Sequence, residues 1–301
     1  MPASSVSESV AQSLSASLAD VTEAVGRSVV SISGRRWPAS GVAHAPDLVL
    51  TAAHAVNRLQ EVAVSLGDVE IAAELVGQDP ALDLALLRVR GAALEPARWR
   101  PSAGLRPGGL VVAVSRPRGS LRVRLGLLGG VGPAYRTPWG ARVDAALDIE
   151  VSPRPGLAGG AVANVEGLLL GLLVSGLGRS RRMLLPAETL RRTAEELLAH
   201  GRVRRGYLGI GTQPVRLPAA VRSVAGRDYG LLVVAVEAGS PADAGGLTFG
   251  DVLLQLGATP TADVQDLLAA LAEAPIGAPL ILQVLRAGEV QQRSVTVGVR
   301  P

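Results

Sequence analysis

His54, Asp83 and the stretch Ser152-Pro153-Arg154-Pro155-Gly156-Leu157-Ala158-Gly159-Gly160-Ala161-Val162 hold the residue types that could do acid–base and covalent chemistry. In the last of these, two prolines stiffen the approach and three glycines surround one small residue. Glycine allows positive φ and close approach of backbone to a ligand. Such a loop can turn successive N–H groups inward and form a hole for a developing oxyanion. Its centre normally carries a nucleophilic hydroxyl; Ala158 puts a methyl group there.

His54 follows the apolar run Leu48-Val49-Leu50 in Thr51-Ala52-Ala53-His54. A lone histidine near a strand end is most often structural, and His44 and His200 have no context that argues otherwise. Asp83 leads into Leu84-Ala85-Leu86-Leu87. A carboxylate entering a buried strand needs a hydrogen-bonding or charged partner, and a histidine N–H would serve. The bland alternative is a turn aspartate, a role that Asp79, before Pro80, fits better than Asp83.

The elements that must position these groups are short apolar runs from Val29 onward, separated by Gly, Pro and Asp turns. Many short strands with few helices argue for an all-β barrel or sandwich. The apolar spacing of Val10, Leu14, Leu18, Val21 and Val25 predicts an amphipathic helix over about Val6–Val25. A second helix, Ala187–His200, closes the β unit with Leu190, Ala194, Leu197 and Leu198 on one face. The reading divides the chain into an N-terminal helical segment (1–27), a β unit (28–200), a basic link (201–206) and a small α+β domain (207–301). In the last, strands are expected at Leu208–Gly211, Gly230–Val236, Val252–Leu256, Leu280–Arg286 and Gln291–Val297, with a helix at Val264–Ala274. Ser240, Pro241 and Asp243 form a helix start that Gly245-Gly246 ends.

Composition narrows the function classes. The chain has 301 residues, 48% hydrophobic, so it is long enough for a sizeable core. Its 30 basic residues are all arginine, in runs at Arg116–Arg124, Arg179–Arg182 and Arg202–Arg205. No aromatic side chains interleave with them, so they read as solvated loops and not as a nucleic-acid surface. The absence of cysteine excludes disulfides and thiolate catalysis. No metal or organic cofactor is implied, because no cluster of ligand residues occurs. No run reaches the length of a membrane span. The N-terminus lacks a basic-then-apolar signal pattern, as a mature or trimmed chain would.

The chain order His54, Asp83, nucleophile position is that of the chymotrypsin-type double barrel. The loop also loosely fits a Gly-x-Ser-x-Gly elbow, but that needs a parallel sheet and an Asp and His after the nucleophile. The only later histidine is His200, ahead of Asp228. Three segments together resemble the signatures of the HtrA/Deg serine proteases: Thr51-Ala52-Ala53-His54, Asp79-Pro80-Ala81-Leu82-Asp83-Leu84-Ala85-Leu86-Leu87 and Pro155-Gly156-Leu157-Ala158-Gly159-Gly160-Ala161-Val162. Arg205-Gly206-Tyr207-Leu208-Gly209-Ile210, Gly239–Leu247 and Gly250-Asp251-Val252-Leu253 resemble the motifs of that family's PDZ domain. The six occur in family order over about residues 28–300.

The resemblance implies a mainly β chain, a chymotrypsin-like double β-barrel followed by an α+β PDZ domain. It implies that His54 is the general base, that Asp83 orients it, and that Gly156 and Ala158, with Leu157 between them, form the oxyanion hole. It implies that Gly171–Gly176 walls the specificity pocket, where Leu172, Leu173 and Val174 would favour an aliphatic residue. It implies that Tyr207, Leu208, Gly209 and Ile210 bind a peptide carboxylate, with Leu267 or Leu268 lining the groove. The implied substrates are unfolded polypeptides, the PDZ partners are peptides with free C-termini, and the implied location is the cell envelope or periplasm. The family's trimers use aromatic contacts near the N-terminus; this chain has few there beyond Trp37, which weighs against a trimer. Two departures stand out. Leu157 replaces the usual asparagine, which a main-chain hole tolerates. Ala158 replaces the serine. The intact base and acid favour a Ser-to-Ala change made to trap an inactive protein, and the alternative is a natural pseudoprotease that binds peptides or acts as a chaperone.

Overall fold

In the computed structural model, which describes residues 3–33, 39–57, 61–67, 69–91, 93–152, 156–175 and 182–299, the short apolar runs close into two barrels and one further sheet. Trp37, Pro153, Arg154, Pro155, Gly176 and Arg179 to Arg181 lie outside the described residues. Residues 1–137 with 141–203 form one unit, and 138–140 with 204–301 the other.

The first unit opens with helix α1 (Ala3–Gly26). Its apolar stripe is covered only toward the C-terminal end: Val25 is buried, Leu18 and Val21 are half-buried, and Val10 and Leu14 are exposed. Strands β1 (Val29–Ser33), β2 (Ala39–Ala45), β3 (Leu48–Ala52), β4 (Val62–Leu66), β5 (Val69–Asp79) and β6 (Leu84–Val89) close in the order β1-β2-β3-β6-β5-β4. Leu50, Leu82, Leu84, Leu86 and Leu87 fill this barrel and are fully buried. One helical turn, α2 (Ala53–Val56), follows β3. Four residues are too few for a helical period to show in sequence, and the turn was not expected.

The second barrel joins β7 (Leu110–Ser115), β8 (Arg122–Gly132), and, past the small hairpin β9 (Tyr135–Arg136) and β10 (Arg142–Val143), β11 (Ala146–Glu150), β12 (Ala161–Asn164), β13 (Leu169–Ser175) and β14 (Arg182–Pro186). It closes in the order β11-β14-β13-β12-β7-β8. Helix α3 (Ala187–His200) ends at Gly201, in the left-handed region at φ 68°, whose N–H caps the Leu197 carbonyl at 2.8 Å. Leu190, Ala194 and Leu197 are buried as their spacing predicts. Leu198 is exposed, because a step of about 100° from Leu197 carries it off the buried face.

In the second unit β15 (Gly206–Tyr207) pairs with the last strand, β22 (Gly298–Val299). Between them run β16 (Ile210–Arg216), α4 (Ala219–Ala225), β17 (Tyr229–Val236), α5 (Pro241–Ala244), β18 (Val252–Leu256), β19 (Thr259–Pro260), α6 (Val264–Glu273), β20 (Pro279–Arg286) and β21 (Glu289–Thr296). The main sheet runs β16-β17-β18-β20-β21, with β19 beside β18. Two local expectations are corrected. The strand expected from Leu208 starts at Ile210, because Gly209 sits at φ 79° and interrupts the ladder. Helix α4 was not anticipated. The expected cap is present: Ser240 Oγ accepts the Asp243 N–H at 3.2 Å.

Asp251, in the Gly250-Asp251 turn before β18, is buried and held by Arg286 through two 2.7 Å hydrogen bonds. Burial alone would raise its pKa; the bonds from Arg286 and from the Thr248 N–H outweigh that and hold it below the usual carboxylate value. Such a group contributes stability above its unfolded pKa, lost as pH falls through the folded one. Arg286→Leu should therefore destabilise this unit by about 3 kcal/mol at neutral pH, and the gap should narrow below about pH 4. Amide hydrogen exchange in β18 and β20 measures it; a gap that persists at low pH would place the loss in packing instead.

Candidate active site

The pairing of β3 with β6 sets Ala52 opposite Leu84, so the residues that continue each strand, His54 on α2 and Asp83 before β6, meet at one end of the first barrel. Asp83 occupies the left-handed region at φ 53°, which aspartate tolerates better than most side chains. Its carbonyl accepts the Ala53 N–H at 2.9 Å. Its carboxylate accepts the His54 N–H at 2.9 Å, and lies 2.7 and 3.0 Å from His54 Nδ1. The carboxylate is nearly buried, while the imidazole is about half exposed. A carboxylate facing Nδ1 requires the proton there, which leaves Nε2 as the acceptor. Asp79 does the turn work: it is buried, and its Oδ1 accepts the Ala81 N–H at 3.0 Å.

The glycine loop presents its carbonyls inward. The Gly156 carbonyl accepts from Ser40 Oγ at 3.3 Å, the Leu157 carbonyl from Gly160 N–H at 2.9 Å, and the Ala158 carbonyl from Ser40 N–H at 2.9 Å. Gly159 donates to the Leu173 carbonyl at 2.7 Å. A trans peptide points its C=O and N–H in opposite directions, so the Leu157 and Ala158 N–H groups, which share peptides with the Gly156 and Leu157 carbonyls, point the other way; among the described residues these two and the Gly156 N–H meet no acceptor. Gly156 at φ 87° and Gly159 at φ 74° permit this path. The Leu157 side chain is buried in the second barrel's core, so leucine suits this position as it stands. Thr51, three residues before His54, donates Oγ1 to the Ser40 carbonyl at 2.7 Å, which ties the loop and the histidine segment to one residue. Ser40 gave no sign of this in sequence.

On β13, Leu172 and Val174 belong to the first barrel's core cluster and Leu173 to the second's, each no more than 2% exposed. They are committed to packing, so an aliphatic cleavage preference does not follow from them. Among the described residues no three His, Asp or Glu side chains gather as a metal site, and no helix is long and apolar enough to cross a membrane.

In the second unit β16 is the edge of its sheet. Among the described residues the N–H groups of Leu208 and Gly209 find no acceptor, while their carbonyls are taken by Ala242 and Glu237 N–H groups. A Cβ on Gly209 would lie 2.2 Å from Ser240 Cβ, so the turn admits only glycine. A cavity of about 140 Å³ is lined by Tyr207, Leu208, Gly209, Ile210, Leu267 and Leu268, among others. Tyr207 Oη donates to the Glu237 carboxylate.

A trypsin-like peptidase domain model matches residues 39–172, and a PDZ domain model matches residues 206–297. The two closed barrels and the small sheet are thus a trypsin-like peptidase domain followed by a PDZ domain. A probable periplasmic serine endoprotease DegP-like from Ectopseudomonas mendocina is 33% identical over 84% of this chain and 54% of its own length. The putative serine protease HhoB of Synechocystis is 29% identical over 84% of this chain and 64% of its own. The HtrA-type protease AlgW with tripeptide superposes with a TM-score of 0.70 at 26% identity, covering 94% of this chain and 97% of that one. The serine endoprotease from Yersinia pestis shares the fold, with a TM-score of 0.72 at 24% identity over 93% and 98% of the two chains. By domain order and by these relatives, the chain belongs to the HtrA/Deg family of trypsin-like serine proteases with a PDZ domain. It spans about half the length of the DegP-like relative, 54%.

Proposed function

We propose that the chain is an HtrA-like serine endopeptidase for unfolded or misfolded polypeptides, inactive as it stands because Ala158 occupies the nucleophile position. The observation that carries this reading is the 2.7 Å contact of His54 Nδ1 with the buried Asp83 carboxylate, set beside a loop in which the Gly156 and Ala158 N–H groups meet no acceptor among the described residues. With a serine at 158, the hydroxyl would attack a scissile carbonyl, His54 Nε2 would take its proton and later return it to the leaving amine, and Gly156 and Ala158 N–H groups would hold the oxyanion. Asp83 would keep the imidazole in the right tautomer. The relatives described as periplasmic support an envelope or periplasmic location. Ala158 itself favours a second reading, a natural pseudoprotease that binds chains without cutting them. Ala158→Ser decides between them: cleavage of an unfolded substrate such as casein supports the peptidase, and an inert variant, even with a PDZ ligand and heating, supports the binding protein.

The free N–H groups of Leu208 and Gly209 suit a terminal carboxylate, and the edge strand β16 suits a peptide added as a further strand. A peptide with a free aliphatic C-terminus should bind, and its C-terminal amide should bind about 10- to 100-fold more weakly, the worth of charge-assisted hydrogen bonds. Calorimetric titration of both peptides checks this; equal affinities would remove the carboxylate role.

A further inference from the structure

We propose that Thr137 is a positioning residue for Asp83, an assignment that rests on the peptidase reading of the site. Asp83 sits at φ 53°, in the left-handed region, where a side chain other than glycine stays only if its surroundings fix it. On its C-terminal side the Asp83 carbonyl accepts the Ala53 N–H at 2.9 Å, and Leu84 pairs with Asp79 in the barrel. On its N-terminal side the chain makes a tight turn, Asp79-Pro80-Ala81-Leu82-Asp83. Within it, Asp79 Oδ1 accepts the Ala81 N–H at 3.0 Å, and the Asp79 and Pro80 carbonyls accept the Leu82 and Asp83 N–H groups at 3.2 and 3.3 Å. A further grip comes from outside the turn: Thr137 Oγ1 donates to the Ala81 carbonyl at 3.2 Å. That carbonyl shares its peptide with the Leu82 N–H. Thr137 and the Asp79 carbonyl therefore hold opposite sides of the Ala81–Leu82 peptide, the unit just ahead of the one that enters Asp83.

Thr137 follows β9, 56 residues from Ala81 in sequence, and is 2% exposed. Its N–H donates to the Ala141 carbonyl at 2.8 Å, and its Oγ1 accepts the Ala141 N–H at 3.2 Å. This pair of bonds fixes Thr137 and leaves its hydroxyl proton for Ala81. Ala141 and Val143 pack in the same core cluster as Ala81 and Leu82. The β9–β10 hairpin thus belongs by sequence to the second barrel and by packing to the first, against the turn that carries Asp83. Thr137→Val keeps the shape of the side chain but leaves the buried Ala81 carbonyl and Ala141 N–H unpaired. The Ala81–Leu82 peptide then turns to find another partner, and Asp83 loses a constraint that keeps it left-handed. Its carboxylate moves off His54 Nδ1, and the imidazole loses its preference for a proton there.

The test has two parts. In the chain with Ala158, the nitrogen NMR resonances of the neutral His54 imidazole should report one tautomer, with the proton on Nδ1. Thr137→Val should move both toward the average of the two tautomers, and Thr137→Ser, which keeps the hydroxyl, should not. In the Ala158→Ser background, Thr137→Val should lower kcat about 10- to 100-fold, with KM for a short fluorogenic peptide changed less than about two-fold, while Thr137→Ser stays within about three-fold of its parent. Because Thr137 acts through Asp83, adding Thr137→Val to Asp83→Asn should cost less than about two-fold more. If Thr137→Val does not fold, Thr137→Cys replaces the hydroxyl with a weak donor and is read the same way. An unchanged tautomer, an unchanged kcat, or a kcat loss as large with Asp83→Asn as without it would overturn the proposal. If Ala158→Ser is inert, the peptidase reading fails, and the imidazole resonances still decide whether Thr137 holds Asp83 in place.

Discussion

In the Ala158→Ser protein, His54→Ala is expected to reduce kcat on casein or a fluorogenic peptide by about 10⁴-fold or more, with KM little changed. The hydroxyl has an ordinary pKa far above neutrality and attacks only as its proton leaves. Nε2 of His54 is positioned for that transfer because Nδ1 is committed to Asp83 at 2.7 Å. Asp83→Asn should cost a similar factor. Asparagine tolerates the φ of 53° at this position and keeps the shape, but its amide can present N–H to Nδ1 and drive the proton to Nε2. The imidazole would then face the nucleophile as a donor. Circular dichroism should show both variants folded, so the loss belongs to proton transfer. A His54→Ala variant within about ten-fold of its parent would contradict the assigned role of His54.

Gly159→Ala is the second large effect. An added Cβ would lie 1.9 Å from the Ser40 carbonyl oxygen and 2.8 Å from Thr51 Oγ1, on backbone already at φ 74°. The oxygen belongs to a buried strand and cannot retreat. Left-handed strain and overpacking together put the cost at about 2–5 kcal/mol, visible as a fall in melting temperature of roughly 5–15 °C for a domain of this size. In the Ala158→Ser background, activity should vanish, because relief of the clash moves the Ala158 peptide. Gly167→Ala is the control: a Cβ there meets no atom within 4 Å, although its φ of 76° carries the same left-handed strain. Equal losses at the two sites would show that backbone strain, and not the contact with Ser40, sets the effect.

Much of this was legible in the chain. Asp83 stood out because a carboxylate leading into Leu84-Ala85-Leu86-Leu87 must find a partner, and the partner is His54. The strands were legible because short apolar runs end at turn residues. Their closure into barrels was not, since it rests on pairings such as β1 with β4 that no local pattern specifies. Ser40 was invisible for a related reason. It acts through its main chain and one hydroxyl on a loop 116 residues away, and Ala39-Ser40-Gly41 reads like any strand start. Leu172 to Val174 misled because apolar side chains on a strand can line a pocket or fill a core, and periodicity does not separate the two.

The most direct measurement of the central claim is covalent labelling of Ala158→Ser with a peptidyl phosphonate or fluorophosphonate, which reacts with a serine only when a neighbouring base and an oxyanion hole activate it. Peptide mass spectrometry should find one adduct, at position 158, lost when His54 is also replaced by alanine and absent from the chain with Ala158. Failure of position 158 to react, or an adduct that persists without His54, would contradict the account.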